Sequence, residues 1–428
     1  MQNRFANLIS LALAVALCLG AGAAFAHDDM EQRMQSLEER QGILATEFER
    51  LRTLFVLPED ADYKSAYGLG PAASKIYGRD RGLSLGGYGQ TWLQIFDHKQ
   101  DKWDYLRFVL YVGYKFTENL LLNVEIEVEH ADEIFLEFAT IDYLYRPEFN
   151  FRIGMVLMPV GFVNEIHEPP YYYGNQRPVV EQTIIPTTWR ENGAGFFGEF
   201  ADGAVQYRLY TTTNLSAGNN KDCCSGTASG FSSSGVRGGR QKGSRALADM
   251  AVVARVDAAP MNGLLIGGSV VRGDTGQGLA FGDTTAAATM TMWEGHAQYQ
   301  YRGLHLRGLY VRNSIEDTDI LSAARGQGIS EIQWGWYGEI AYDVLPALDP
   351  DTRLGLAPFV RYERFNTQEE VPAGFAPDET KNRTVVTTGV SFHVHPNVVF
   401  KVDYRRFDSE GGDISDQNDL NIGVGYAF

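Results

Sequence analysis

Two short motifs in this 428-residue chain carry residue types that could perform acid–base or metal chemistry. Glu165-x-His167-Glu168 places two carboxylates beside an imidazole, and His393-x-His395 places two imidazoles on one face of a strand. A salt-bridge set in a loop explains the first motif more simply, and a surface turn before a proline explains the second. No G-x-S-x-G or Walker pattern accompanies them, so no catalytic residue is expected.

Two further candidates for chemistry are the adjacent cysteines Cys223 and Cys224. Such a pair can close on itself through a strained ring, join two chains, or stay reduced. Lys221 and Asp222 beside it offer too few ligands for a metal ion. We expect an incidental loop feature, with no metal site and no cofactor.

Charged residues that alternate with apolar ones form a third set. In 120–129, aliphatic residues at 122, 124, 126 and 128 alternate with Asn123, Glu125, Glu127 and Glu129. Such a polar face is unfavourable in a protein core but suits a water-filled lumen whose wall meets lipid on its other side. The side chains expected to line the pore on this reasoning are Arg107, Lys115, Glu125, Glu127, Arg152, Arg208, Arg255, Arg307, Arg361, Lys401 and Arg405.

Both ends of the chain indicate a bacterial outer-membrane protein. Arg4, an apolar run over 8–19 and Ala24-Phe25-Ala26 predict a secretory signal peptide over 1–26. The last nine residues, LNIGVGYAF, alternate strictly and finish on Phe428. This ending resembles the C-terminal signal of outer-membrane β-barrels, although an edge strand of a soluble sandwich has the same period.

Composition agrees with a barrel. The chain has 46 Gly, 22 Tyr and 24 Phe, few Cys, and after the signal peptide no run apolar enough for a transmembrane helix. Its formal net charge of −17 becomes −18 once residues 1–26, with one Arg and no acid, are removed. An acidic chain of this kind is not expected to bind nucleic acid.

Residues 27–57 carry a heptad pattern that ends at Pro58. One seam position holds Met30, Leu37, Leu44 and Leu51, and the other holds Met34, Gln41, Phe48 and Phe55. The pattern predicts a coiled coil that self-associates, with residues 28–56 in the periplasm. A single amphipathic helix is the alternative, and the seam alone does not distinguish a dimer from the homotrimer that the family resemblance described below implies. Residues 58–81 are expected to be a linker.

Residues 82–428 contain alternating segments separated by seven short and eight mostly longer connections. This alternation predicts an all-β fold, a sixteen-stranded antiparallel transmembrane β-barrel in contact with outer-membrane lipid. With an even number of strands, the first strand begins and the last strand ends on the same side of the membrane, which is expected to be the periplasmic side. The segment 133–146 is ambiguous, because Leu136 and Phe138 conflict in period with Ile141 and Tyr143.

Four segments resemble the phosphate-selective porin family and related uncharacterised outer-membrane porins. They are GLSLGGYGQ (82–90), GMVLMPVGF (154–162), TTWRENGAGFFGEF (187–200) and the terminal Phe. The resemblance implies a trimeric channel in the outer membrane of a Gram-negative-type bacterium, passing small hydrophilic solutes or ions, with anions such as phosphate as one candidate. That family's selectivity rests on stacked lumen Arg and Lys, whereas the inward set here is of mixed charge. We therefore expect weak ion selectivity. The alternatives are a barrel enzyme of lipase or protease type and a structural tether to the cell wall.

The connection 159–192 is unusually long and holds five prolines and three consecutive tyrosines. Prolines stiffen a loop, and its aromatic residues need a surface to pack on. In porins the third outer loop, after strand five, folds into the barrel, and this loop has that place in the order. We expect it to narrow the pore, with Glu165, Glu168, Arg177, Glu181 and Arg190 meeting the solute; an outward lid or a trimer contact is the alternative.

Overall fold

The computed structural model describes residues 65–219 and 228–428, and sixteen long strands within them form one closed antiparallel barrel. The barrel strands are β1 (Gly82–Phe96), β2 (Lys102–Lys115), β3 (Leu120–Glu129), β4 (Glu133–Arg146), β5 (Phe149–Leu157), β6 (Arg190–Phe200), β7 (Val205–Thr213), β8 (Met250–Met261), β9 (Leu264–Gly273), β12 (Met290–Tyr301), β13 (Leu304–Ile315), β14 (Ile332–Tyr342), β15 (Gly355–Glu370), β16 (Asn382–His395), β17 (Val398–Ser409) and β18 (Asp419–Ala427). Between β9 and β12, β10 (Ala280–Phe281) and β11 (Thr284–Thr285) form a small separate hairpin.

The barrel closes where β1 pairs with β18. Elsewhere each barrel strand pairs with the barrel strands that precede and follow it in the chain, so β9 pairs with β12. Connections at one end are mostly short and those at the other mostly long, so the two ends are called the short-turn end and the long-loop end. The predicted sixteen-stranded barrel is therefore confirmed. One short-end connection, between β14 and β15, is longer than the predicted turn because it holds a helix at Leu345–Leu348.

A short helix at Pro71–Ser74 precedes β1, and two others lie in connections between strands, at Val179–Thr183 and Thr318–Arg325. Single 3₁₀ turns occupy Pro169–Tyr171, Arg237–Gly239, Glu379–Lys381 and Ser415–Gln417. No helix in these described parts of the chain is long and apolar enough to cross a membrane.

The strands alternate between two environments, as their sequence period predicts. On β17, Phe400 and Val402 are exposed on the outer wall, whereas Lys401 and Asp403 are buried on the lumen side. On β3 the aliphatic residues lie outward and the acidic ones inward. The lumen at Glu125 is filled with protein rather than water, which differs from the sequence expectation. The acidic face is tolerated because folded segments inside the barrel supply hydrogen-bond partners.

A β-bulge explains the ambiguous period of β4. In the β3–β4 pairing Glu125 faces Phe138 while Ile126 faces Leu136, so Glu137 is an extra residue on β4. Glu137 and Phe138 are both buried on the lumen side, and the period before the bulge is opposite to the period after it. A single bulge changes which residues face inward without ending the strand.

The segment 65–81, assigned to a linker from the sequence, lies inside the barrel at the short-turn end. The Asn123 side-chain amide donates to the Ala73 carbonyl at 3.0 Å, and the Tyr77 hydroxyl donates to Asp142 at 2.7 Å. The segment's small residues allow its backbone to lie directly against the glycine-rich start of the barrel. The predicted signal peptide, the coiled coil over 27–57 and Cys223-Cys224 lie outside the described residues.

Candidate functional site

The connection between β5 and β6, residues 158–189 (the lumen loop), crosses the interior of the barrel. Its apolar residues Val160, Val163, Val180, Ile184 and Trp189 are fully buried. Packing of this kind gives the loop a hydrophobic core of its own, so the barrel interior contains a folded element rather than a mobile strap.

Lys401 on β17 holds the turn of the lumen loop that lies far around the ring from β5. Its ammonium donates to the carbonyls of Pro169 and Tyr172 at 2.7 Å each and of Gly174 at 2.8 Å. It also lies 4.1 Å from the centre of the Tyr172 ring. Three carbonyls around one ammonium satisfy all its donors, which fixes this turn on the wall.

Arg361 on β15 anchors the next part of the lumen loop. Its guanidinium pairs with Glu339 at 3.0 Å and Glu363 at 2.9 Å, and donates to the carbonyls of Tyr173 and Gln176 at 3.2 Å each. The planar guanidinium can serve several acceptors at once, so one wall residue joins two strands to the loop.

A second buried network lies where the lumen loop leaves β5. Asp257 on β8 accepts from Arg208 at 2.6 Å and Arg255 at 2.7 Å, and lies 2.9 Å from His296. Glu165 of the lumen loop lies 3.2 Å from Arg208. The acids and bases of this network offset one another, so little net charge remains at this point of the wall.

The motif Glu165-x-His167-Glu168 is part of this buried packing. His167 Nε2 lies 3.1 Å from Glu125, and Glu168 accepts from the Ala72 amide at 3.1 Å. Burial lowers the pKa of His167 to about 3 and raises the pKa of Glu168 to about 8. The motif therefore joins the lumen loop to the segment 65–81 and to β3. Throughout the described chain, no group of three His, Cys, Asp or Glu residues is placed to hold a metal ion.

The raised pKa of Glu168 predicts a pH-dependent stability. Because burial favours its protonated form, the folded barrel binds a proton there that the unfolded chain releases near pH 4.5. The contribution to stability is full below that pH and is lost as the pH rises to about 8, at up to about 1.4 kcal/mol per unit. We expect Glu168→Gln to flatten this slope in melting temperatures of the purified barrel. An unchanged slope would contradict the assignment.

Two glycines on β18 make room for the lumen loop. A Cβ on Gly425 would lie 2.4 Å from Pro169 Cβ, and one on Gly423 would lie 2.2 Å from Asn175 Oδ1. The alternating glycines of the C-terminal strand therefore permit the loop backbone to approach the wall closely.

We expect Gly425→Val to lower the free energy of unfolding by about 1–3 kcal/mol, because the loop must move away from the wall. Gly338→Val is the matched control, since a Cβ on Gly338 meets nothing within 4 Å. Thermal melting of both variants, followed by circular dichroism, measures the difference. Equal melting temperatures would contradict close packing of the loop on β18.

The eleven residues predicted to line the pore lie on the lumen side of their strands, and all but Arg107 and Arg307 are buried. Most of them contact protein groups. Besides the networks above, Arg107 lies 3.2 Å from Glu127, Arg152 pairs with Asp142 at 2.8 Å, Lys115 donates to the Arg79 carbonyl at 2.6 Å, and Arg405 pairs with Asp419 at 2.5 Å.

The five residues predicted for the constriction separate into two groups. Glu165, Glu168 and Glu181 are buried within the loop packing, and Glu181 accepts from the Tyr337 hydroxyl at 2.7 Å. Arg177 and Arg190 line a cavity. The assignment of Arg190 to the loop is wrong: it is the first residue of β6, because pairing with Leu157 extends that strand further than the sequence suggested.

Two cavities lie on opposite sides of the lumen loop. The outer cavity, at the long-loop end, encloses about 310 Å³ and is lined by arginines and aromatic residues. The inner cavity, at the short-turn end, encloses about 360 Å³ and includes Phe162, Tyr171, Tyr173, His305 and Arg307. Among the residues that the structure describes, Tyr172 alone lines both.

An uncharacterized protein of Aquifex aeolicus is 34% identical to this chain over 385 residues. The match covers 84% of this chain and 83% of that protein. The chain belongs to the family of this Aquifex protein. No family model matches the sequence.

Solved structures of other proteins share the fold of this chain. Salmonella typhi OmpF, solved with daunomycin, superposes with a TM-score of 0.54 at 13% identity, over 82% of this chain and 99% of that chain. A loop L8 deletion mutant of Vibrio cholerae OmpT gives 0.52 at 11% identity, over 82% and 100%. The outer membrane channel DcaP of Acinetobacter baumannii gives 0.50 at 10%, over 81% and 97%. This chain therefore has the fold of outer-membrane porins.

Sequence reasoning did not identify several residues that line the lumen of this barrel. Glu137 escaped because the β4 bulge breaks the period, and the conflict within 133–146 was the available signal. Arg237 and Arg240 lie in the Gly- and Ser-rich connection 214–249, where no periodicity assigns a direction. A run of basic residues at 237, 240, 242 and 245 in an acidic chain was the signal there.

Proposed function

We propose that this protein is an outer-membrane channel through which small hydrophilic solutes and ions diffuse passively. The observation that carries the proposal is a closed barrel whose outer wall is apolar and whose inner wall is charged, with cavities on both sides of a folded loop. A closed barrel satisfies all its backbone groups in lipid, and charged inner residues suit a passage for water-soluble molecules.

We infer a modest preference for anions rather than a tuned phosphate site. Most inward charges are paired, as in Arg361 with Glu339 and Glu363, so their fields largely offset one another. Arg177 forms no ion pair within the described residues, so an excess of positive charge remains near the outer cavity. Reversal potentials in asymmetric salt measure this preference.

We also infer a non-enzymatic role. The one acid–base motif in the lumen loop is buried, and His167 and Glu168 are occupied by protein partners. A substrate could not reach them without displacing the loop. Hydrolysis of lipid or peptide substrates by the purified barrel would contradict this inference.

We propose a homotrimer in which residues 28–56 form a periplasmic coiled coil. The support is the heptad pattern, whose apolar seam needs partner helices. A peptide of residues 28–56 should be helical and trimeric in sedimentation equilibrium. A monomeric, unstructured peptide at high concentration would contradict the proposal.

Solute uptake by liposomes tests the channel directly. Liposomes that contain the purified barrel should swell in isotonic solutions of small sugars and amino acids, at rates that fall as the solute grows. The matched control is the heat-unfolded protein in the same lipid. Swelling no faster than in empty liposomes would contradict a diffusion channel.

A further inference from the structure

The outer cavity lies between the lumen loop, residues 237–242 of the connection after β7, and the walls of β1 to β4 and β6. Its lining contains six cationic residues against two acidic ones: Arg107, Arg177, Arg190, Arg237, Arg240 and Lys242, with Glu129 and Glu137. The cavity lining is thus mainly cationic, whereas the whole chain is acidic, with a net charge of −17.

Three of these arginines have no acidic partner. Arg190 pairs with Glu137 at 2.7 Å, whereas Arg177, Arg237 and Arg240 form no ion pair in the parts of the chain that the structure describes. Arg237 donates to the carbonyls of Gln182 and Thr187, and Arg240 donates to another loop carbonyl. Carbonyls position the two guanidinium groups but do not neutralise them.

Donor atoms without a partner among the described residues lie beside the same space, each covered by its neighbours. Arg177 is buried, yet its Nε and one terminal nitrogen have no hydrogen-bond partner among the described residues, and the same holds for Arg240 Nε and Trp92 Nε1. The positive charges of Arg177 and Arg240 lie close enough to Arg237 to repel its guanidinium. A ligand with several anionic groups would offset the unpaired positive charge and relieve the repulsion among these arginines.

Aromatic residues give the cavity an apolar side. Trp92, Phe135 and Tyr172 line it together with the arginines. Its volume of about 310 Å³ is in the range of small-molecule sites, and it is more than one inorganic oxyanion fills. Aromatic rings stack favourably on planar apolar groups. A small hydrated anion gains little from contact with them.

We propose that the outer cavity binds organic anions that carry two acidic groups on a planar apolar body. The arginines bind the acidic groups, and Trp92, Phe135 and Tyr172 contact the body. The inference deepens the proposed channel function by naming a solute class, and it depends on that function only for the route by which the anion passes.

Binding to the detergent-solubilised full chain tests the site without any transport. The probes are benzene-1,3-disulfonate, propane-1,3-disulfonate and inorganic phosphate, compared by calorimetry at constant ionic strength. We expect the aromatic disulfonate to bind about tenfold more tightly than its aliphatic counterpart, because only the former stacks on the rings. Phosphate binding as tightly as the aromatic probe would overturn the proposal.

Variants locate the binding. Arg177→Gln should weaken binding of the aromatic probe by about tenfold, and Arg240→Gln provides a second variant if the first does not fold. Arg272→Gln is the control, since Arg272 is exposed and away from the cavity, where it donates to the Thr291 hydroxyl at 2.7 Å and lies 3.8 Å from Glu316. A heat-dependent shift in gel mobility verifies folding. Equal affinities in all three variants would overturn the site.

Channel recordings separate this proposal from the proposed function. If the protein conducts but the aromatic probe neither binds nor interrupts the current, the site is overturned and the channel stands. If Arg177→Gln weakens probe binding but the unaltered protein does not conduct, the binding site stands and the channel proposal fails.

Discussion

Replacing residues 164–188 with a short Gly-Ser linker is expected to raise the single-channel conductance severalfold. The lumen loop fills the barrel interior, where Ile184 and Trp189 are fully buried and Lys401 fixes its far turn on the wall. Removing this element leaves a wide water-filled lumen in place of two cavities. Planar-bilayer recordings in concentrated KCl measure the change.

The barrel should survive this replacement. Its strands pair with one another around the ring, and the wall charges that the loop covers, such as Arg361 and Lys401, become solvated by water. Replacing residues 373–377, in an exposed connection between β15 and β16, with a Gly-Ser segment of the same length is the control. Unchanged conductance in a folded loop variant would mean that the loop does not limit the pore.

Lys401→Met is expected to cost about 1–3 kcal/mol of unfolding free energy and to make the current fluctuate. Methionine has nearly the length of lysine but no donor, so the carbonyls of Pro169, Tyr172 and Gly174 lose their shared partner inside the barrel. A turn released in this way should move in and out of the conduction path. Thermal melting and open-channel noise are the two readouts.

Lys102→Met is the matched control, because Lys102 is half exposed and its ammonium lies 3.5 Å from Asp104. An exposed pair of this kind contributes little, so the control should melt and conduct like the unaltered protein. A Lys401 variant with normal stability and a quiet current would contradict the anchoring role of this residue.

The strand architecture could be predicted because it is written in local periods. Residues 122–129 alternate without interruption, and short and long connections alternate around the ring. A bulge defeats this reasoning, as Glu137 shows, because one extra residue reverses the direction of those beyond it. The period also gave the correct direction for Lys401 and Asp403.

What fills the lumen could not be predicted in the same way. The segment 65–81 has no period, and its place inside the barrel depends on partners far along the chain, such as Asp142 for Tyr77. The sequence indicated that Arg361 points inward. It did not indicate that this side chain donates hydrogen bonds to carbonyls of the lumen loop. Pairing between Arg237 and the Thr187 carbonyl joins two loops about fifty residues apart, and no local signal records it.

Tyr172 provides the most direct test of the central claim, that solute passes through the lumen between the outer and inner cavities. The measurement is the current through a Tyr172→Cys channel, in a background where Cys223 and Cys224 are Ser, during exposure to a charged thiol reagent from either side. Since Tyr172 lines both cavities, the account predicts that reagent from each side reduces the current in discrete steps. Complete modification, verified by mass spectrometry, with an unchanged current would contradict it.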